Sequence, residues 1–114
     1  MPYFEAMIAA VPADNKAAYV DHASHSAPVF IKNGATRITE CWGDDVPEGK
    51  INSMHTAVHR KDGEVVVMSF IEWPDKATRD AAWPKIMEDP EMAGEMPFDG
   101  SRMIFGGFEG ILQK

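Results

Sequence analysis

Two segments of the chain are apolar on both of their alternating faces, which is typical of strands that are covered on both sides. Glu5 is the one polar residue within residues 3–11, and only Ser69 and Glu72 interrupt the apolar run of residues 65–73. Alternate residues of a strand point to opposite faces, so each segment presents two apolar surfaces. The pattern predicts a sheet whose two faces both need cover.

A helical repeat of apolar residues follows the first strand over residues 14–33. Asp14 is a suitable N-cap, and Gly34 is suitable for ending the helix in the left-handed conformation. Pro28 lies inside the predicted helix and is expected to kink it. The expected buried stripe comprises Val20, Ala23, Ala27, Phe30 and Ile31.

A second helix is predicted to begin at Pro74-Asp75, directly after the second two-faced strand. Pro84 is expected to kink or split this helix near Trp83, because the residue before a proline avoids the helical conformation. Other segments are assigned from β-branched residues and turn signals: a strand at 35–42, a loop at 43–53, an extended run at 54–60, a hairpin turn at 61–64, a loop at 96–100 and a last strand at 102–108.

This order of elements predicts an α+β fold with a ferredoxin-like antiparallel sheet and two helices on one face. Residues 1–114 are expected to form one domain. The helices leave one apolar sheet face uncovered, and a second copy of the chain would bury it. We therefore expect a homodimer, with Ile71 as a position at which a charge would test the contact. The alternative is that the second face of the sheet is partly solvated and has no partner.

The composition of the chain limits the kinds of molecule that it is expected to bind. The net charge is −7, from 11 basic and 18 acidic residues, which argues against general nucleic-acid binding. No apolar run approaches the roughly 20 residues of a membrane helix, and residues 1–12 lack the basic region of a signal peptide. The single Cys41 excludes an internal disulfide. We expect a cytoplasmic protein without a membrane partner.

Three long motifs make the chain recognisable. They are residues 40–50 (ECWGDDVPEGK), 71–74 (IEWP) and 96–108 (MPFDGSRMIFGGF). Together they resemble the YbaA-like family of small bacterial proteins of unknown function, over nearly the whole chain. The resemblance implies a dimeric α/β-barrel, a superfamily that includes cofactor-free monooxygenases, haem-degrading enzymes, lactone isomerases and proteins without known activity. Pro84 departs from the expected pattern and puts the continuity of the second helix in doubt.

The histidines are weak candidates for chemistry. His22 falls on the flank of the predicted helical stripe, where it could border a pocket between helix and sheet and act as an acid or base. His25 points away from the stripe and is expected to be solvated. His55 and His59 would stand about 13 Å apart on a strand, too far to share a metal ion. They are expected on the outer face of an edge strand.

The loop after the second strand contains Asp44 and Asp45, which could hold a ligand amine or only hydrogen-bond their own turn. Asp99 has the same two interpretations. Arg102 could clamp the carboxylate of a ligand or pair with Asp99. Cys41 has acidic neighbours, which oppose thiolate formation, and is expected to be structural.

Aromatic residues could line a pocket for a small molecule, although packing in the core or at a dimer interface is the commoner use. The candidates are Trp42, Trp73, Trp83, Phe98 and Phe108. The chain contains no motif for a metal or cofactor. Two functions remain open. One is a cofactor-free monooxygenase or isomerase with a pocket between sheet and helices. The other is a non-catalytic dimeric module that binds a small ligand or a protein through the loop 42–50.

Overall fold

Four antiparallel strands form one open sheet in the order β2–β3–β1–β4. The computed structural model describes residues 1–114. The strands are β1 (Tyr3–Pro12), β2 (Arg37–Trp42), β3 (Glu64–Trp73) and β4 (Ile104–Glu109), and the helices are α1 (Lys16–Lys32), α2 (Met54–Ala57) and α3 (Lys76–Glu88). The ferredoxin-like α+β prediction is confirmed. None of the helices has both the length and the apolar character needed to cross a bilayer.

The two-faced strands are the central pair of the sheet. β1 and β3 pair in one continuous register from Tyr3 opposite Trp73 to Pro12 opposite Glu64. The odd-numbered residues of both strands face α1 and α3, where Trp73 is completely buried. Ile71 shares that face and packs on the same cluster, so it is not a position at which a charge would meet a second sheet.

The even-numbered residues of β1 and β3 form the opposite face of the sheet. Only one end of this face is covered, where Val58 packs on Ala10 and Val66. The rest is apolar and open to solvent, and Phe108 is 58% exposed there. We call this surface the bare face; its apolar members are Phe4, Ala6, Ile8, Met68, Phe70, Ile104 and Phe108.

The prediction of an extended run at residues 54–60 is wrong. Residues Met54–Ala57 form the short helix α2, and Ser53 begins it with a capping box. Thr56 N donates to Ser53 Oγ at 3.0 Å, and Ser53 N donates to Thr56 Oγ1 at 3.1 Å. His55 is therefore not on a strand face; its Nε2 lies 2.8 Å from the carbonyl oxygen of Val46 and ties the 43–53 loop to α2.

The predicted buried stripe of α1 is wrong at its two ends. Val20 is 56% exposed and Ile31 is 47% exposed, whereas Tyr19 is buried and Phe30 is buried as expected. Tyr19 and Phe30 are eleven positions apart, close to three full turns, so they lie on one side of the helix. The two rings bury more apolar area than Val20 and Ile31 would, and the helix is rotated accordingly.

Neither proline divides its helix. α1 continues through Pro28 and α3 continues through Pro84. Both prolines are on exposed sides of their helices, so the carbonyl groups four residues earlier can accept hydrogen bonds from water.

The predicted start of the second helix is confirmed, since Asp75 caps α3 by accepting from Thr78 N, and Gly34 has a φ of 112° after α1. The prediction of Asp14 as the N-cap of α1 is wrong, because Asp14 lies in a short 3-10 turn and α1 begins at Lys16 without a side-chain cap.

Replacing Ser53 with Ala is expected to lower the free energy of unfolding by about 1 kcal/mol, because the first turn of α2 loses its side-chain cap. Urea denaturation measures the change. Ser24→Ala is the matched control, since the Ser24 hydroxyl only donates to a carbonyl within α1. An equal effect of the two substitutions would contradict the role of the cap.

Candidate functional site

Tyr19 and Glu40 form a short hydrogen bond between the first helix and the edge strand. The hydroxyl of Tyr19 donates to Glu40 Oε1 at 2.6 Å. Glu40 lies opposite Ser69 in the register of β2 and β3, which directs its side chain toward the helices. Ser69 is the one buried polar residue of the chain. The register of the sheet and the phase of α1 thus bring an acid and a phenol together.

Burial changes the proton affinity of both groups. Burial raises the pKa of the Tyr19 hydroxyl far above its usual range, and the hydrogen bond to Glu40 raises it further. The Glu40 residue keeps an exposed part, but desolvation of its carboxyl group beside α1 raises the pKa of that group, and the Tyr19 hydrogen bond partly opposes the rise. The phenol therefore stays protonated, and the carboxyl group holds a proton more readily than a solvated glutamate does.

Two of the predicted aromatic residues lie beside this pair. The ring centroid of Tyr19 is 6.2 Å from that of Trp42 and 5.9 Å from that of Phe98. Trp42 and Phe98 are half-buried, so each ring keeps part of its surface free. We call these four residues, Tyr19, Glu40, Trp42 and Phe98, the Tyr19–Glu40 site. It combines apolar walls with one pair of groups that can exchange a proton.

A cation already lies against the site. Nζ of Lys16 is 5.5 Å from the ring centroid of Trp42. Lys16 also borders an open groove of about 620 Å³ that continues along the outer side of α1 past Val20, Asp21 and Ser24. Lys16 is thus the residue that the groove and the Trp42 ring have in common, and the other residues that line the groove belong to α1.

A second polar cluster lies at the other end of the helix-covered face, centred on Glu5. Oε1 of Glu5 accepts from Trp83 Nε1 at 2.8 Å, from Trp73 Nε1 at 2.9 Å and from Arg79 Nε at 3.3 Å. The side chain of Glu5 is 12% exposed. Since two of the donors belong to α3 and one to β3, this carboxylate fastens the second helix to the sheet.

Arg102 is held by protein acceptors. It pairs with both oxygens of Glu64 at 2.7 Å and with Asp99 at 3.0 Å, and it donates to the carbonyl of His59 at 2.9 Å. Hydrogen bonds from Arg102 hold the pKa of Glu64 at about 2. The pairing of Arg102 with Asp99 is one of the two arrangements that the sequence left open. The other, a clamp on a ligand carboxylate, stays a prediction.

The remaining predicted site residues lie apart from one another. His22 borders an open groove of about 520 Å³ between α1 and the segment that follows α3, where Glu91 and Pro97 also lie. The residues that line this groove come from α1 and from the segment after α3, and the predicted role of His22 beside a pocket between helix and sheet stays a prediction. Trp73 is fully buried and has no surface to offer a ligand. Asp44 and Asp45 are exposed in the loop after β2.

Sequence reasoning missed Glu5, Tyr19 and Glu40 as members of polar clusters. A single acid in an otherwise apolar strand was a visible signal at Glu5, because such a residue needs partners when it is buried. No comparable signal existed for Tyr19 and Glu40, which are 21 positions apart. Their contact depends on the phase of α1 and the register of β2, which local patterns do not give.

The chain is similar to bacterial proteins whose function is unknown. The profile of a family described as "Protein of unknown function (DUF1428)" matches residues 2–100. The chain is 51% identical over 117 residues to "Uncharacterized protein YbaA" of Escherichia coli strain K12, and the alignment covers 100% of both chains. The proteins of the same name from Escherichia coli O157:H7 and Shigella flexneri match with the same identity and coverage.

Proposed function

The chain belongs to the DUF1428 family, whose function is unknown, and from the geometry of its site we propose that it is a homodimeric, cofactor-free enzyme that moves protons on a small molecule. Tyr19 and Glu40 are the proposed acid–base pair, and Trp42 and Phe98 are the proposed walls of the binding site. Of the two reaction types considered for a cofactor-free enzyme, an isomerase needs only this exchange of protons. A monooxygenase would use the same proton abstraction and would also need oxygen, which the deprotonated substrate itself would reduce.

The observation that carries this proposal is the 2.6 Å hydrogen bond between the Tyr19 hydroxyl and Glu40. A carboxyl group whose pKa is raised above its usual value by desolvation is suited to general acid–base catalysis, because it binds a proton more readily than a solvated carboxylate does. Tyr19 donates to one oxygen of Glu40 and thereby orients the carboxyl group. The second oxygen is the one proposed to receive the proton of the substrate.

The homodimer is supported by the bare face. Its centre contains no charged residue, and its apolar side chains come from β1, β3 and β4. At one side of the bare face, Arg37 of β2 lies directly opposite Glu72 of β3. These two opposite charges are therefore adjacent within one chain. A second copy packed face to face would remove the exposed apolar surface from water, as in other sheet-on-sheet packings. It would leave the Tyr19–Glu40 site open, since that site is on the helix-covered face.

Proton abstraction can be tested before the substrate is known. A panel of small enolisable carbonyl compounds is incubated with the protein in deuterium oxide, and loss of the signals of the exchangeable C–H protons is followed by proton NMR. We expect at least one compound to exchange faster with the protein than in buffer. Glu40→Gln should abolish the acceleration, because the amide cannot accept the proton, and Tyr19→Phe should reduce it by about 10²-fold or more.

Glu88→Gln is the control, since Glu88 is an exposed glutamate on α3, remote from the pair. Its exchange rate should equal that of the wild type. Exchange that persists in Glu40→Gln would contradict the assignment of the base. Small-molecule binding confined to the loop 42–50, without exchange of any compound, would favour the alternative function of a non-catalytic binding module.

A further inference from the structure

Lys16 marks a position where a positive charge is stabilised by an aromatic ring. Its ammonium group lies 5.5 Å from the centroid of Trp42, within the range of a cation–π interaction. Lys16 takes part in none of the ion pairs of the chain, which involve other cations. The Trp42 ring is therefore the partner of the Lys16 ammonium, and the ring itself is half-buried.

Glu40 adds a negative group close to the same ring. Glu40 and Trp42 are two residues apart on β2, so both side chains are on the helix-covered face, about 7 Å from each other along the strand. Tyr19 contacts both residues, through its hydroxyl and through its ring. An aromatic face beside a carboxylate attracts cations by two electrostatic terms that act in the same direction.

The groove beside Lys16 provides room for the rest of a ligand. It runs along α1, where Val20 offers an exposed apolar side chain and Asp21 offers a further carboxylate. The whole chain carries a net charge of −7, which raises the local concentration of cations at such a groove. If a ligand cation displaced the Lys16 ammonium, its own contact with the Trp42 ring would replace the cation–π contact of Lys16.

We propose that the ligand of the Tyr19–Glu40 site carries an ammonium group, which binds the face of Trp42 in place of Lys16 while the remainder of the ligand extends into the groove along α1. This inference rests on the proposed small-molecule site and names the chemical class of its ligand. Lys16 then acts as an internal competitor that occupies the ring when no ligand is bound.

The test compares choline with dimethylbutanol, its neutral analogue in which carbon replaces the ammonium nitrogen. Binding to the full-length protein is measured by titration of the Trp42 indole N–H signal in nitrogen–proton NMR spectra. We expect saturable shifts of that signal with choline and none with the neutral analogue. Lys16→Met should tighten choline binding about three- to fivefold, because the competing ammonium is removed.

Lys85→Met is the matched control, since it removes the same charge from an exposed position on α3. It should leave the affinity for choline nearly unchanged, which separates local competition from the general effect of net charge. Glu40→Gln should weaken binding while leaving the spectrum of the folded protein in place. Equal binding of the neutral analogue, equal effects of the two lysine substitutions, or shifts that concentrate around His22 instead of Trp42 would each overturn the proposal.

The outcome of the choline titration can be distinguished from the outcome of the proton-exchange test of the proposed enzyme. Choline binding at Trp42 without proton exchange on any carbonyl compound supports the ligand class and removes the catalytic role of Glu40. Glu40-dependent exchange on neutral compounds together with absent choline binding supports the enzyme and overturns the ligand class.

Discussion

Replacing Glu5 with Ala is expected to lower the free energy of unfolding by about 3–5 kcal/mol. The substitution leaves the indole N–H groups of Trp73 and Trp83 and the guanidinium of Arg79 without the acceptor that they share. The Arg79 side chain is only 22% exposed, so water replaces the lost partner incompletely. The desolvated indole donors penalise the folded state, and Arg79 loses one partner while it keeps its ion pair with Asp80 at 2.7 Å.

Urea denaturation followed by tryptophan fluorescence measures this effect. Glu5→Gln should be intermediate, because its amide oxygen still accepts from the indole groups while the ion pair with Arg79 is lost. Glu109→Ala is the control, since Glu109 is an exposed glutamate on β4. It should change stability by less than about 0.5 kcal/mol. A similarly small loss in Glu5→Ala would show that the cluster does not hold α3 on the sheet.

Replacing Phe108 with Asp is expected to convert the proposed homodimer into monomers. Phe108 is on the bare face, where a second copy would bury it, and an unpaired carboxylate in such a contact costs several kcal/mol. In the single chain the same side chain is 58% exposed, so the substitution should leave the fold intact. The effect therefore separates association from folding.

Phe105→Asp is the matched control. Phe105 is on the same strand and is 74% exposed, but the register of β4 directs it to the opposite face of the sheet. Light scattering should give twice the chain mass of 12.6 kDa for the wild type and for Phe105→Asp, and the chain mass itself for Phe108→Asp. A monomeric wild type would refute the dimer, and dissociation of both variants would place the contact elsewhere.

The four strands, the start of α3 and the end of α1 were predictable because their signals are local. Alternation of apolar residues sets which residues of β1 and β3 share a face, whatever the rest of the chain does. The cap at Asp75 and the left-handed Gly34 depend on a few neighbouring residues. For the same reason the sequence indicated two apolar sheet faces, and the structure has one face under the helices and one that is mostly bare.

Residues 54–60 show where local signals mislead. The segment lies between a predicted loop and a predicted hairpin turn and was assigned as extended, yet the Ser53–Thr56 capping box starts a helix there. This segment then places Val58 against one end of the bare face. The secondary structure of a short segment is set by the contacts it makes, because its helix propensity amounts to only a few tenths of a kcal/mol per residue.

By itself the sequence determined the order of the four strands and the two long helices, and the apolar character of both sheet faces. It also indicated Trp42 and Phe98 as candidate aromatic residues of a binding site. The tertiary structure decided which side of α1 is buried, and with it the contact between Tyr19 and Glu40. The tertiary structure likewise decided that Glu5 accepts hydrogen bonds from two indole groups and a guanidinium, whose residues are 68 to 78 positions away in the sequence. The physical reason is that periodicity is a property of neighbours, whereas a polar cluster forms only where helix phase and strand register coincide.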